Sequence, residues 1–572
     1  MRTLEGCLLD TEPVRLRAIA RFWDIELSAG RPQEVAAQLA QAMGSAAAVK
    51  RAWDGLPEDQ RNALQALLAA GGQQPRRIFV RRWGEIRAMG AGRMEREEPW
   101  LAPVSPAEGL WYRGLIFSGF EQEPGGLLEV VFVPRELQQH LPPPPPPPHL
   151  GPPPQAPEPR VARTWGDTLL DDACTLLAYL QNEAVRPTSS GDWPSEHRAR
   201  VKRQLHSPEA ERLAFLEHLM ERLSWLRVTD ARHLRPDPDA VTSWLLASSG
   251  HQRLALASAW RQSPVWNDLA HVPSLQLEQT GAWRNDPLLA RRTLLRHLAA
   301  CTAGTWYHVA GLVAQIHERE PDFQRPSGDY DTWYIRERTT GRYLRGFEDW
   351  DAVEGALIRH LLEGPLAWLG LVDVGGNDAG PADAFRLTPD GAAFVGAAEL
   401  PAAPQPGPVE IRPDFTLLVP ATARYIRFQV ARIADWVRSG DPFVYRLAPA
   451  SLGRARRQGI TIGRILEFLA QSTRAPVPRF VEAALTRWEA RGGEARLEQC
   501  VLLRLASEEL MTEVSTSPFV RGLLGEQVGP AAVTVPRRNW SALIAALGRL
   551  GLLPDVIGLD PESWGAPPAE AE

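Results

Sequence analysis

Apolar positions along the chain change period several times, and each change predicts a new element. Leu16, Ile19, Ala20 and Trp23 recur at helical spacing, and Val35, Leu39 and Met43 do so again after the turn Leu27–Pro32. That pattern predicts two short helices within 12–43, in the manner of a small SAP-type helix-turn-helix. Leu56-Pro57-Glu58 opens a helix that runs through Leu68 and stops at Gly71-Gly72. A second helix falls between Arg76 and Ala88. Ser105-Pro106-Ala107-Glu108 is a capping box with proline at the first helical position, and it opens a third helix with Leu110, Trp111, Gly114 and Leu115 on one face. Ile116–Phe120 and Leu127–Val133 then alternate around Glu123-Pro124-Gly125-Gly126, which predicts a hairpin. Three helices followed by a hairpin is the order of a winged helix.

Seven consecutive prolines, Pro142–Pro148, break the chain, followed by Pro152–Pro154, Pro157 and Pro159. A run without N–H donors and with fixed φ predicts polyproline II, a semi-rigid exposed spacer. An aromatic-grooved partner is the alternative use of such a run. Residues 164–304 are mostly helical in pattern. A helix over Trp350–Leu362, the run Trp368–Val372 and the strand-like Ala384–Thr388 repeat the earlier cadence and predict a second winged helix. The last third mixes periods. Strands are expected over Glu410–Val419, Phe443–Leu447 and Arg496–Leu505, and helices over 423–437, 450–458, 463–472 and Asn539–Leu550. The expected fold class is α+β, predominantly helical and multi-domain. Its parts are 1–45 (SAP-like unit), 50–140 (winged helix), 141–163 (linker), 164–304 (helical), 305–400 (second winged helix) and 401–572 (α+β).

Composition narrows the function. The chain has 572 residues, 44% of them hydrophobic, and a net charge of −6. A uniformly basic nucleic-acid coat is therefore excluded, although a local basic patch is not. Only Lys50 and Lys202 are lysines, so arginine supplies nearly all the positive charge. The four cysteines form no CxxC pair, which argues against a zinc module or disulfide framework and fits a reducing cytoplasm. No signal peptide or apolar membrane span is expected. No Gly-Lys dipeptide occurs, so the phosphate-cradling P-loop is missing, and neither the zinc-protease nor the nucleophile-elbow motif occurs. The expectation is a non-enzyme without cofactor, metal or catalytic residue. Asp237-Pro238-Asp239 and Asp329-Tyr330-Asp331 read as turn formers, and most of the 20 tryptophans as core.

Two arginine clusters remain as candidate chemistry. Arg76, Arg77, Arg81, Arg82, Arg87 and Arg93 lie in the first winged helix. Tyr112 and Arg113 end its third helix, the candidate groove reader. Between Arg424 and Arg464, nine arginines face only Asp435 and Asp441. On a helix over 423–437, Ile426, Val430, Ile433 and Val437 form an apolar stripe. Arg424, Arg427, Arg432 and Arg438 then fall within about a 140° arc opposite it. Arg454, Arg456 and Arg457 extend the cationic surface. Guanidinium groups suit phosphate oxygens, and the competing reading is a solvated face.

The order of the last third resembles a known family. Ile411-Arg412-Pro413-Asp414-Phe415-Thr416-Leu417-Leu418-Val419-Pro420 precedes Arg427–Trp436, Tyr445-Arg446-Leu447, Ser451-Leu452, Gly459-Ile460 and Ile465–Leu469. This is similar to the helicase-associated domain of bacterial XPB-like proteins, and Trp100–Phe120 and Ser263–Leu269 also look like such proteins. The resemblance implies DNA association in a repair or transcription setting. Helicase activity is not carried over, because the motor's motif is missing. The expected partners are DNA and a helicase, transcription or repair protein, with no membrane. The alternative is a scaffold whose winged helices dock a helicase or polymerase subunit.

Overall fold

The computed structural model describes residues 3–27, 31–123, 126–146, 150–189, 193–278, 281, 283–377, 380–402, 404–495 and 500–557. The chain divides into two compact units, Met1–Pro478 and Arg479–Glu572. The fold is predominantly helical with small antiparallel sheets.

After a first short helix, Leu4–Leu9, the larger unit continues with helices Pro13–Phe22 and Pro32–Met43, which bury Leu16, Ile19, Leu39 and Met43. Helices Glu58–Ala69, Arg76–Trp83 and Pro106–Tyr112 follow, the last capped by Ser105 Oγ accepting from the Glu108 N–H at 3.0 Å. Strands Phe117–Glu123 and Gly126–Phe132 pair in register from Phe117↔Phe132 to Glu123↔Gly126, and Gln73–Pro75 pairs on the far side. One apolar core runs from Leu4 to Leu141 through all of these elements.

The proline-rich segment differs from the expected free spacer. Pro147 and Pro148 lie outside the described residues. From Gly151 onward the segment is strapped to the body. The Gly151 carbonyl accepts from Gln315 Nε2 at 2.8 Å, and the Pro154 carbonyl accepts from the His308 N–H at 3.0 Å. The Ala156 N–H donates to the Trp306 carbonyl at 2.8 Å. Val161–Arg163 completes a four-stranded sheet with Val372–Gly376, Ala384–Leu387 and Trp306–His308, in that order. Prolines cannot donate, but their carbonyls accept, and the interleaved Ala156 and Val161–Arg163 supply donors. Glycines give the rings room. A Cβ on Gly375 would lie 2.5 Å from Pro159 Cγ, and one on Gly311 would lie 2.8 Å from Pro154 Cδ.

Residues 164–304 are largely helical, as expected. Their centre is helix Thr168–Asn182, buried from Leu169 through Leu180. A further sheet, Glu410–Ile411, Thr416–Val419, Phe443–Arg446 and Asp435–Arg438, stands beside helix Arg424–Ile433. The expected helix 423–437 therefore ends early. Asp435–Arg438 leaves it as an edge strand paired with Phe443–Arg446, and Val437 points into solvent. The expected strand Glu410–Val419 is two strands, folded back at Phe415, whose φ is +64°.

The segment 401–572 is shared between the units. The smaller unit has helices Arg479–Arg491, Glu508–Thr516 and Trp540–Arg549 and the sheet Val501–Arg504, Ala532–Val535, Gln527–Gly529. Its core is built on Val514, Val520, Val535, Trp540 and Leu543.

Candidate nucleic-acid interface

The first arginine cluster is largely consumed by partners within the chain. Arg76 pairs with Glu129 at 3.0 Å and Arg77 with Asp329 at 2.8 Å. Arg81 pairs with Asp322 at 2.5 Å and lies over the rings of Phe347 and Tyr330. Arg82 leans on Trp83, and Arg93 pairs with Glu97. Arg87 meets the buried Glu108 at 2.7 Å. Burial pushes the Glu108 carboxyl upward, but bonds from Arg87 and the Val104 N–H outweigh it and hold it below its ordinary range. The third helix is no groove reader. Ala107, Glu108, Gly109, Leu110 and Tyr112 are buried, and Arg113 is half-buried over the Phe22 ring. Asp322 and Asp329 lie some 240 residues from the arginines they neutralise, so local sequence gives no hint of the pairing.

Arg424 and Arg427 correct the expected cationic face more sharply. They are 1% and 0% exposed. Arg424 donates from Nε to Asp171 Oδ1 at 2.9 Å, from Nη2 to Asp167 Oδ2 at 2.8 Å, and from Nη1 to Ser249 and Gln252. Arg427 donates from Nη1 to the same Asp171 Oδ1 at 2.7 Å and from Nη2 to Thr175 Oγ1 at 3.1 Å, with its guanidinium 3.3 Å from the Phe443 ring centroid. Helix Arg424–Ile433 packs on helix Thr168–Asn182. Asp167 and Asp171, one turn apart, present carboxylates where the arginines arrive. Burial pushes the Asp171 carboxyl up in spite of both guanidiniums. Asp167, also desolvated, is held down by Arg424 and Arg253.

What remains open is the end of helix Pro449–Arg457. Two clefts flank it. One, of about 540 Å³, is lined by Gln181, Asn182, Arg235, Arg454, Arg457 and Gln458, with Glu183 as its acid. The other, of about 440 Å³, runs beside helix Ile462–Thr473 and includes Tyr425, Arg432, Arg464 and Phe468. Gln458 stands between them. Its Nε2 donates to Asn182 Oδ1 at 3.2 Å, and its Oε1 accepts from Arg432 Nε at 3.1 Å. Arg432 has no carboxylate partner among the described residues, and burial lowers its pKa. Arg454 is tied to Asp435 at 2.9 Å. Arg456 is exposed, as are Arg457 and Arg464, which make no ion pair among the described residues. Arg438 is exposed too, on the edge strand. Arg235 joins the group by donating to the Glu183 carbonyl at 2.7 Å. Sequence reasoning missed it because it comes from the central helical segment. Gln458 followed Arg457 directly and was within reach of notice.

Among the described residues no group of three or more His, Cys, Asp or Glu side chains could hold a metal ion, and no helix is long and apolar enough to cross a membrane. Asp329 and Asp237 act in turns and caps: Asp329 Oδ1 accepts from the Asp331 N–H, and Asp237 caps helix Pro238–Leu246.

The sequence profile of the helicase conserved C-terminal domain matches residues 409–529. The matched stretch carries the sheet from Glu410 to Arg446, the buried arginine helix and most of the arginines that line the two clefts. No curated protein matches the chain.

Proposed function

We propose that this chain is a non-catalytic, helicase-associated DNA-binding protein that grips phosphates at the end of helix Pro449–Arg457, in a repair or transcription setting. The observation that carries this reading is the meeting of Arg235, Arg432, Arg454, Arg457 and Arg464 around two adjoining clefts, mostly within the stretch that matches a helicase domain. Arg457 and Arg464 are exposed and make no ion pair among the described residues, and in an acidic chain such a local cationic group supports phosphate contact. In the N-terminal part, helices Glu58–Ala69, Arg76–Trp83 and Pro106–Tyr112 ahead of the hairpin support the winged-helix reading, with one further short helix, Ala91–Glu97, inserted among them. That part is a docking element rather than a DNA reader: its third helix is buried, whereas Phe120 and Leu127 on the hairpin are about 70% exposed. The absence of the P-loop lysine supports binding without ATP hydrolysis.

The test is the salt dependence of duplex affinity, read by fluorescence anisotropy. Each neutralised phosphate contributes about 0.9 to the slope of log affinity against log salt. Replacing Arg457 and Arg464 by Ala should lower the slope by up to about 1.8 and leave the melting temperature nearly unchanged. A slope that stays put in a normally melting variant removes Arg457 and Arg464 from the interface. A wild-type protein that binds no DNA at low salt moves the reading to a protein scaffold.

A further inference from the structure

Arg15, on helix Pro13–Phe22, is a buried cation, 6% exposed, with no carboxylate in ion-pair contact among the described residues. Its Nε and Nη2 donate to the Trp111 carbonyl at 3.1 and 2.9 Å, and Nη2 also donates to the Ile116 carbonyl at 3.1 Å. The guanidinium carbon lies 3.5 Å from the Trp111 ring centroid and 4.9 Å from that of Phe117. Nη1 makes no hydrogen bond among the described residues. Desolvation pulls the group's pKa down to about 9. Arginine keeps its proton at neutral pH all the same, so the folded chain holds a charge that carbonyl dipoles and ring faces offset only in part.

A cavity of about 330 Å³ opens beside it. Arg76 and Arg87 also line this cavity, but Glu129 and Glu108 already match them, which leaves Arg15 as the lining cation without an ion pair among the described residues. Ser118 Oγ, on the same wall, is buried and makes no hydrogen bond among the described residues. Met89 and Met94 supply an apolar surface. At the exposed rim stand Asp10 and Glu12. The Glu12 carboxylate at the mouth repels a dianion about twice as strongly as a monoanion, so a single negative charge reaches Arg15 at the lower cost. The volume lies at the lower end of small-ligand pockets, about 300–1,000 Å³.

We propose that this cavity binds a monoanionic carboxylate on a short apolar body, the carboxylate turned to Arg15 Nη1 and Ser118 Oγ and the body laid on Met89 and Met94. The same chemistry is offered by a free organic acid and by the C-terminal residue of a peptide. Two probes separate these sources on the full-length chain: benzoate, and the peptide acetyl-Ala-Ala-Phe with a free or an amidated C-terminus.

Saturating benzoate or free-acid peptide should raise the melting temperature by about 2–4 °C over sodium chloride of equal ionic strength. The amidated peptide should give no shift, and whichever probe binds tighter by calorimetry identifies the source. Arg15→Met should abolish binding. Ser118→Ala, which removes only the orphaned hydroxyl, should weaken it about 3- to 10-fold and decides the matter should Arg15→Met fail to fold. No shift from either probe, a shift from inorganic phosphate equal to that from benzoate, undiminished affinity in Ser118→Ala, or binding that survives in folded Arg15→Met would each overturn the proposal.

Discussion

Replacing Asp171 by Ala tests whether the arginines of the 424–433 helix are structural. One oxygen, Asp171 Oδ1, accepts from both Arg424 Nε and Arg427 Nη1. Its removal leaves Arg427 without an ion-pair carboxylate among the described residues, held by Thr175 Oγ1 and carbonyls inside a fully buried site. Breaking a buried ion pair from one side costs about 3–5 kcal/mol, because the remaining charge stays desolvated. Arg424 keeps Asp167, so we place the loss at the lower end, about 3–4 kcal/mol. At roughly 2–4 °C per kcal/mol, a generous conversion for a unit this large, the melting temperature should fall by about 6–16 °C. Differential scanning fluorimetry and urea titration both read this. Pairing Asp171→Leu with Arg427→Met should recover part of the loss, since apolar replacement of both partners removes the stranded charge. A melting temperature within about 2 °C of wild type in Asp171→Ala would refute the burial argument. So would an Arg427→Ala variant that melts normally and binds DNA with a shallower salt slope.

Three further outcomes follow from the packing. His360 is buried, 3.8 Å from Glu211 Oε1, and desolvation, aided by nearby His271, pulls its pKa down to about 4. Its neutral form is favoured by folding, so its contribution is complete above the unfolded value near 6.5 and is lost as pH falls toward 4. The loss reaches at most about 3 kcal/mol, and His360→Gln should flatten urea midpoints between pH 7 and 4.5; an equally steep variant would contradict the assignment. A Cβ on Gly391 would lie 1.9 Å from the Leu371 carbonyl oxygen, so Gly391→Ala should destabilise by about 2–3 kcal/mol, and a neutral melt would show that helix Pro389–Phe394 can shift without loss. Exchanging Gly151–Arg163 for a Gly-Ser stretch of equal length should lower the melting temperature by removing the Val161–Arg163 strand, whereas a mere spacer would tolerate it.

Local pattern sufficed where burial is decided within one element. Leu16, Ile19, Leu39 and Met43 were legible because a helix buries one stripe and 3.6-residue spacing reveals it. The same rule misread 423–437. Val437 falls at helical spacing from Ile433, yet the chain is already a strand there, set by pairing with Phe443–Arg446. The arginine arc was a sound geometric reading, but geometry cannot say which face meets solvent. Asp167 and Asp171 decided that from some 250 residues away. The proline segment failed for a different reason. Missing donors exclude proline from the interior of a sheet, but they do not exclude its carbonyls, and four interleaved residues carry the donors. At the candidate interface, the arginines of 432–464 were visible in sequence, whereas Arg235 and the two-sided role of Gln458 arise only from tertiary assembly.

The Asp171 carboxylate also sets a timetable for synthesis. Its two guanidinium partners lie 253 and 256 residues further along the chain. At 5–20 residues per second, helix Thr168–Asn182 emerges from the ribosome roughly 10–50 s before the helix that covers it. During that interval a helix that the folded chain buries from Leu169 through Leu180, with an acid meant for a buried pair, is left without its cover. The nascent chain is then at its most prone to aggregation, and a chaperone that shields residues 168–182 would do most for the yield of this protein.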